Sequence, residues 1–339
     1  MAYSAIVKPQ DYFNTKLYTG NASSSRDITG VGFQPDFTWI KDRDGTFSHI
    51  LGNAVSGDNK FLSSNGTAAE STDSTKFRTF VSDGFQVGNH NGVNANSNDY
   101  ASWNWLAGAS QTLNSGNVTS TVRANTTAGF SIVKWTGTAD NILVSHGLGV
   151  IPKVVMIKNL SNGSAQWVVY HVGTGNTKAC YLNTTATPTT ASGFFNNFTP
   201  DATNFIVGSD TAVNGSGNSM IAYCFADVQG YSKFSSYTGN GSADGSFIYT
   251  GFKPAFVMMK CTDLARSWQM HNNKSDPFNS VTRRLFANLS DAEVSNTDLD
   301  FLSNGFKVRT TDLNMNGSGN NYIYMAFAEN PLVANSGTD

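Results

Sequence analysis

The sequence predicts an all-β protein built as three tandem β-sandwiches, jelly-roll or lectin-like, of about 100 residues each. Three observations carry that expectation. One phrase is written twice, as NGSGNSMIAYCFAD (Asn214 to Asp227) and NGSGNNYIYMAFAE (Asn316 to Glu329), 102 positions apart. Short apolar runs rich in β-branched and aromatic residues are bounded by Gly, Asn, Asp and Pro. Long helical periodicity is missing, and only Asp276 to Leu289 (DPFNSVTRRLFANL) reads as a helical turn.

The repeat decides architecture before local propensity does. The same offset of 102 links Trp135-Thr136-Gly137 to Tyr237-Thr238-Gly239, Pro152 to Pro254 and Lys158 to Lys260. A further copy lies upstream, where Tyr18-Thr19-Gly20, Pro35 and Lys41 precede their counterparts by 117, and Phe85 and Asn94 by 120. The expected division is an N-terminal arm (1–11), a first copy (12–108), a polar linker (109–128), a second copy (129–229), a third copy (230–331) and a tail (332–339). The second junction, Asp227 to Ser236, is short, so copies two and three are expected to pack more rigidly than one and two.

Each copy shows four landmarks in order. Aromatic-Thr-Gly ends a strand and turns on a residue that tolerates positive φ. GFQPDFTWIK (Gly32 to Lys41), LGVIPKVVMIK (Leu148 to Lys158) and GFKPAFVMMK (Gly251 to Lys260) follow, with Pro opening a strand that is apolar on both faces and closes on Lys. SDGFQVG (Ser82 to Gly88), TNFIVG (Thr203 to Gly208) and SNGFKVR (Ser303 to Arg309) give short Phe-x-Val strands, two of them after a hairpin dipeptide. Last, an Asn-rich loop precedes a strand in which Trp103, Trp105, Tyr223, Phe225, Met325 and Phe327 share one face. Ser102, Ala222, Cys224 and Ala326 share the other. This strand is expected to close the core of its own sandwich, and in the first copy, where Ser102 to Trp105 (SWNW) replaces the small-residue pattern, its outer face is expected to be adapted for contacts.

Composition excludes several function classes. Charged residues make up 14% against the ~25% usual in soluble domains, and the net charge is −2, so no basic field exists for phosphates and nucleic acid is not an expected partner. Cys180, Cys224 and Cys261 form no metal or redox motif and read as buried small hydrophobes. No apolar run approaches the ~18 residues of a membrane span, and MAYSAIVKPQDYF has no secretory pattern, so cytoplasmic synthesis is expected.

The six Trp residues read as core. His49, His171 and His271 end the comparable segments TFSH, WVVYH and WQMH, which points to one recurring strand-end hydrogen bond, whereas His90 and His146 sit in loops without a sequence partner. DRDG (Asp42 to Gly45) opens like a calcium loop but lacks the downstream acid, and no metal or cofactor is expected. The carboxylate pairs Asp298 and Asp300, and Asp291 and Glu293, read as solvated loop charge, and no catalytic residue is singled out.

KPQDYFNTKLYTGN (Lys8 to Asn21), ITGVGFQPDFTWIK (Ile28 to Lys41), AYCFADVQGYSKFSSYTGNGS (Ala222 to Ser242) and YIYMAFAENP (Tyr322 to Pro331) resemble a repeated β-domain of tailed-bacteriophage virion proteins, of tail-fibre, tail-tip or receptor-binding type. The resemblance spans essentially the whole chain. It implies a non-enzymatic structural protein on the virion, at the tail or head surface, with a capsid-decoration protein or a glycan-degrading tailspike as alternatives. Expected partners are other virion proteins, through Met1 to Gln10, host-surface polysaccharide, and further copies of the chain, as a trimer. Neutral loop amides and hydroxyls suit sugar hydroxyls. The contact candidates are therefore Asn94, Asn96, Asn98, Asn214, Ser216, Asn218, Asn240, Asp244, Asn316, Ser318 and Asn320.

Overall fold

The computed structural model describes residues 4, 6–190 and 192–332. Among them helix is confined to the 3-10 turn Pro9–Asp11 and the four-residue turns Asn91–Asn94, Ser192–Phe195 and Thr211–Asn214, and the fold is all-β. The first copy places Phe13–Thr19, Asp99–Trp105, Phe37–Asp42 and Ile50–Asn53 side by side and antiparallel. The second copy places Phe130–Thr136, Ser219–Phe225, Val154–Asn159 and Val168–His171 in that same order. The third uses Ser232–Thr238, Asn321–Pro331, Phe252–Cys261 and Gln269–Asn272. Register recurs too: Trp39 faces Trp103, Met156 faces Tyr223, and Met258 faces Met325. Pro254 sits at a register shift, where a missing N–H is tolerated.

Shorter strands cover one face of each sheet, with Ile28 opposite Phe85, Val144 opposite Phe205 and Ile248 opposite Phe306. In the third copy Val281–Phe286 and Val294–Leu302 join the two layers into one continuous eight-stranded sheet. The segment expected to turn helically, Asp276 to Leu289, thus contains no helix and carries the strand Val281–Phe286 at its centre. Its β-branched and aromatic residues have a free edge to pair with at Gln269–Asn272, and that pairing overrides the local helical pattern.

Side-chain direction corrects the expected core. Ala222, Cys224 and Ala326, on the small-residue face, line the interiors between layers, together with Val155, Val257, Phe205 and Phe306. The aromatic face points the other way. Trp39, Trp103 and Trp105 of the first copy meet Tyr223 and Phe225 of the second and Phe256, Met325 and Phe327 of the third in one shared core. Ring centroids of Phe37 and Tyr223 lie 4.4 Å apart, those of Phe13 and Phe327 4.9 Å, and those of Trp105 and Phe225 6.2 Å. Each main sheet is therefore sandwiched between its own interior and a centre common to all three copies. That is why its strands are apolar on both faces. All six Trp are buried, as the core reading expects: Trp39, Trp103, Trp105, Trp167 and Trp268 at this centre and Trp135 within the second copy, while Ser102 and Asn104 on the other face, expected to serve contacts, are buried as well.

A cyclic set of hydrogen bonds closes the arrangement. His49, Trp167 and Trp268 occupy one position, since their backbone N–H groups donate to Asn65, Asn183 and Asn288 Oδ1 at 3.0, 3.1 and 2.8 Å. Trp167 Nε1 donates to Ser63 O of the first copy at 2.9 Å, and Trp268 Nε1 to Tyr181 O of the second at 2.9 Å. His49 Nε2 lies 3.0 Å from Phe286 O of the third. Second to first, third to second and first to third is the pattern of a closed three-membered ring.

Two further expectations change. Residues 109–128 are not a loose linker: Ser110–Leu113 pairs with Ser120–Asn125, which pairs with Phe130–Thr136 and widens the second sheet. Arg123 reaches back to Asp36 of the first copy at 2.9 Å. The arm is drawn inward. Ile6 joins the shared core, Ser4 Oγ is 3.2 Å from Gln229 O, and Gln10 Nε2 donates to Glu329 O. Met1 to Tyr3, Ala5 and the expected tail from Val333 to Asp339 lie outside the described residues.

Candidate functional site

The contact candidates divide into a buried frame and an exposed tip. Asn94, Asn214 and Asn316 have no solvent exposure, which removes them as host contacts. Their Oδ1 atoms accept from the backbone N–H groups of Asn21, Thr138 and Asn240 at 2.9, 3.0 and 3.0 Å. Their Nδ2 atoms donate to Ser23 O, Asp140 O and Ser242 O at 3.0, 2.6 and 2.7 Å. The backbone adds a second clasp, with Gly20, Gly137 and Gly239 N–H donating to Asn98, Asn218 and Asn320 O at 2.7, 2.9 and 2.9 Å. Each Asn-rich loop thus holds the aromatic-Thr-Gly turn of its own copy. A carboxamide suits this work because it both accepts and donates.

The loop apices remain accessible. Asn96, Ser216 and Ser318 are exposed, and Asn98, Asn218 and Asn320 are half-buried. The next residues, Ser97, Gly217 and Gly319, take positive φ of 66°, 71° and 75°. Asn98 Nδ2 is engaged by Asp42 Oδ2 at 3.0 Å. Asn240 caps its own turn, accepting from Ser242 N and donating to Asp244 O. Asp244 is exposed, and the Lys307 ammonium 2.7 Å away holds its carboxyl below the usual range.

Groups with chemical potential elsewhere are committed to structure. Lys41, Lys158 and Lys260 are buried, and burial pulls each ammonium pKa down to about 8. Such a lysine could serve as a nucleophile in an open site. Here Lys158 Nζ donates to Thr67 O and Ala165 O, both at 2.8 Å, and Lys260 Nζ to Thr185 O and Arg266 O at 3.0 and 2.7 Å. Both stitch a copy to its predecessor. Asp42 Oδ1 accepts from Asp44 and Gly45 N–H at 2.9 Å, which is turn capping rather than calcium ligation.

The histidines do not recur at one position. His49 stands where Trp167 and Trp268 stand. His171 stands where Asn53 and Asn272 stand, since these face Val154, Phe37 and Phe256. His271 precedes Asn272 and faces Val257. Each nonetheless has a hydrogen-bond partner. His171 Nδ1 accepts from Gly173 N–H at 3.0 Å, as Asn272 Oδ1 accepts from Lys274 N–H, so its Nε2 carries the proton 3.1 Å from Tyr324 O. Burial drives its pKa down to about 4 and that of His49 to about 3. His90 accepts from Gly92 N–H at 2.9 Å where Asp210 accepts from Ala212 N–H, and His146 lies 3.1 Å from Asp201 O.

The carboxylates read as solvated are mostly enclosed. Asp298 lies in Val294–Leu302 without exposure, 3.2 Å from His271 Nε2 and 3.5 Å from Arg284 Nη1. Asp300 pairs with Arg309 at 3.2 Å. Glu293 closes the first copy onto the third by meeting Arg43 at 2.6 Å, with only 3% of its side chain exposed. The sequence hides the partners of Asp298 and Glu293 because Arg284 and Arg43 are 14 and 250 residues away. Asp291 alone of the four is exposed. Sequence reasoning also missed an open cavity of about 670 Å³ between Asp227, Gly230, Lys233, Tyr249, Gly251 and Leu332, where the second junction meets the end of the third copy. Exposed Tyr249 was its only sequence signal.

Among the described residues no cluster of His, Cys, Asp and Glu could hold a metal, and no helix is long and apolar enough to cross a membrane. Residues 8–331 match the family described as Domain of unknown function (DUF7483). With nearly the whole chain matched, the protein belongs to that family. No curated protein matches it.

Proposed function

We propose that this family member is a non-enzymatic structural protein of a tailed-bacteriophage virion, a short tail fibre or spike that contacts polysaccharide on the host surface. The observation that carries the reading is the threefold presentation of uncharged apices. Asn96, Ser216 and Ser318 stand exposed on loops whose anchoring amides are fully bonded within the chain. Neutral donors and acceptors on a rigid frame match sugar hydroxyls without an ordering cost for the loop. Three weak sites on one body gain avidity on a repeating polymer. The resemblance of its phrases to virion β-domains is what suggests the particle, and the ring of copies gives threefold repetition within one chain.

The test is binding of purified protein to host cells and to isolated surface polysaccharide, with release of sugar fragments followed in parallel. Binding without release supports adhesion, and fragment release would replace it with the tailspike-enzyme reading. A chain starting at Ser4 keeps Ile6 in the core and asks whether Met1 to Tyr3 are needed for incorporation into particles. Imaging particles that lack the protein separates tail from head placement, because density is lost from one or the other.

A further inference from the structure

The third copy carries an insertion that the other two lack. Between Asn272 and Arg283 run ten residues (273–282), against six (54–59) and six (172–177) at the corresponding places. At its apex Phe278 is 83% exposed, the most exposed large hydrophobic residue among those described. The loop beneath it is firmly held. Asp276 Oδ2 accepts from Thr282 N–H at 2.6 Å, and Asn279 both donates to Phe301 O at 3.0 Å and accepts from Phe301 N–H at 2.8 Å. A held loop therefore presents an exposed aromatic ring at the wall of a cavity of about 170 Å³, which Lys253, Asn273, Asp276 and Phe301 also line. Asn273 is 7% exposed, and its Oδ1 has no hydrogen-bond partner. Buried carboxamides are ordinarily satisfied, so an idle one in a cavity wall marks a place where a ligand completes the bonding.

We propose that this cavity is a subsite for a single pyranose ring, stacked on Phe278 and hydrogen-bonded by the Asn273 carboxamide. The negative face of an aromatic ring attracts the partly positive C–H face of a sugar, while the sugar's hydroxyls supply the donors and acceptors that the amide lacks. The volume is below the ~300–1,000 Å³ of pockets that enclose drug-sized ligands, which suits one ring of a longer chain lying across the surface. The inference rests on the adhesion reading and adds a site to it. Asn272 faces Phe256 at one end of the strand, whereas the Asn316 loop adjoins Cys261 and Tyr322 at the other, so the subsite and the apices can be altered separately.

The experiment is saturation-transfer NMR of the full chain with methyl glycosides of glucose, galactose, mannose and N-acetylglucosamine, run beside the whole-cell binding assay. At least one glycoside should receive saturation on its C–H face. Phe278→Ala and Asn273→Ala should each weaken that binding about tenfold, the worth of one aromatic contact or hydrogen bond, while Phe278→Tyr retains it. Thermal unfolding should be unchanged in both alanine variants, because the ring is in solvent and the amide bonds to nothing. Cell binding with no glycoside signal, or a signal that Phe278→Ala leaves undiminished, overturns the subsite and leaves adhesion standing. Loss of cell binding by the unaltered protein overturns both.

Discussion

Asn316→Ala separates a framework role from a contact role. The side chain accepts from Asn240 N–H and donates to Ser242 O and Thr310 O at 3.0, 2.7 and 2.9 Å, without solvent exposure. Three net hydrogen bonds at ~1 kcal/mol each give a loss of roughly 3 kcal/mol. At an unfolding entropy of ~2.1 cal/mol/K per residue, that lowers Tm by about 4 °C if all 339 residues unfold together, and by about 14 °C if a copy of about 100 residues unfolds alone. Ser318→Ala, two residues on and exposed, should leave Tm within about 1 °C. Scanning calorimetry of the three proteins decides. An Asn316→Ala variant as stable as the parent would refute the claim that these amides are structural.

Other consequences follow from the equivalences between copies. His171 is held neutral with a pKa near 4, below its unfolded value near 6.5, so the stability it contributes is complete above pH 6.5 and is lost as pH falls toward 4. Replacing it with Asn, the residue found at both corresponding positions, should keep the turn cap and flatten that limb of a urea-stability profile. An unaltered limb would sink the assignment. His49→Trp restores the residue of the other copies but removes the acceptor 2.7 Å from Trp39 Nε1. Stability should fall by ~1–3 kcal/mol in denaturant titrations, the cost of an orphaned buried donor. Glu293→Gln leaves Arg43 without its counter-charge at the junction of first and third copies, and a loss of roughly 3 kcal/mol is expected by the same measurement.

Much of the architecture is legible in the chain. The 102-residue offset places Trp135, Pro152, Lys158 and Asn214 over Tyr237, Pro254, Lys260 and Asn316, and alternation within strands groups Trp103 with Trp105 and Tyr223 with Phe225. Alternation defines two faces, though, and is silent about what covers each one. A face of Trp, Tyr and Phe looks like the interior of a lone sandwich, whereas here it meets two other sheets and the small-residue face lies within. Motif endings misled for the histidines, because TFSH, WVVYH and WQMH differ by a few positions in sheet register. Asn214 and Asn316 read as solvent-facing because Gly and Ser follow them. Their burial comes from a turn 74 to 76 residues upstream, beyond any local signal. Asp298 and Glu293 read as solvated for the same reason, as Arg284 and Arg43 lie far from them along the chain.

The central claim is that three copies fold around one core, and Trp268→Ala examines it most directly. This indole is 1% exposed in the shared core and its Nε1 donates to Tyr181 O of the preceding copy, so the change should remove ~3–5 kcal/mol. Calorimetry of parent and variant should each show a single transition, moved as a whole to lower temperature, with equal van't Hoff and calorimetric enthalpies. Separate transitions, with only one displaced by the substitution, would mean that the copies fold independently and would contradict the account.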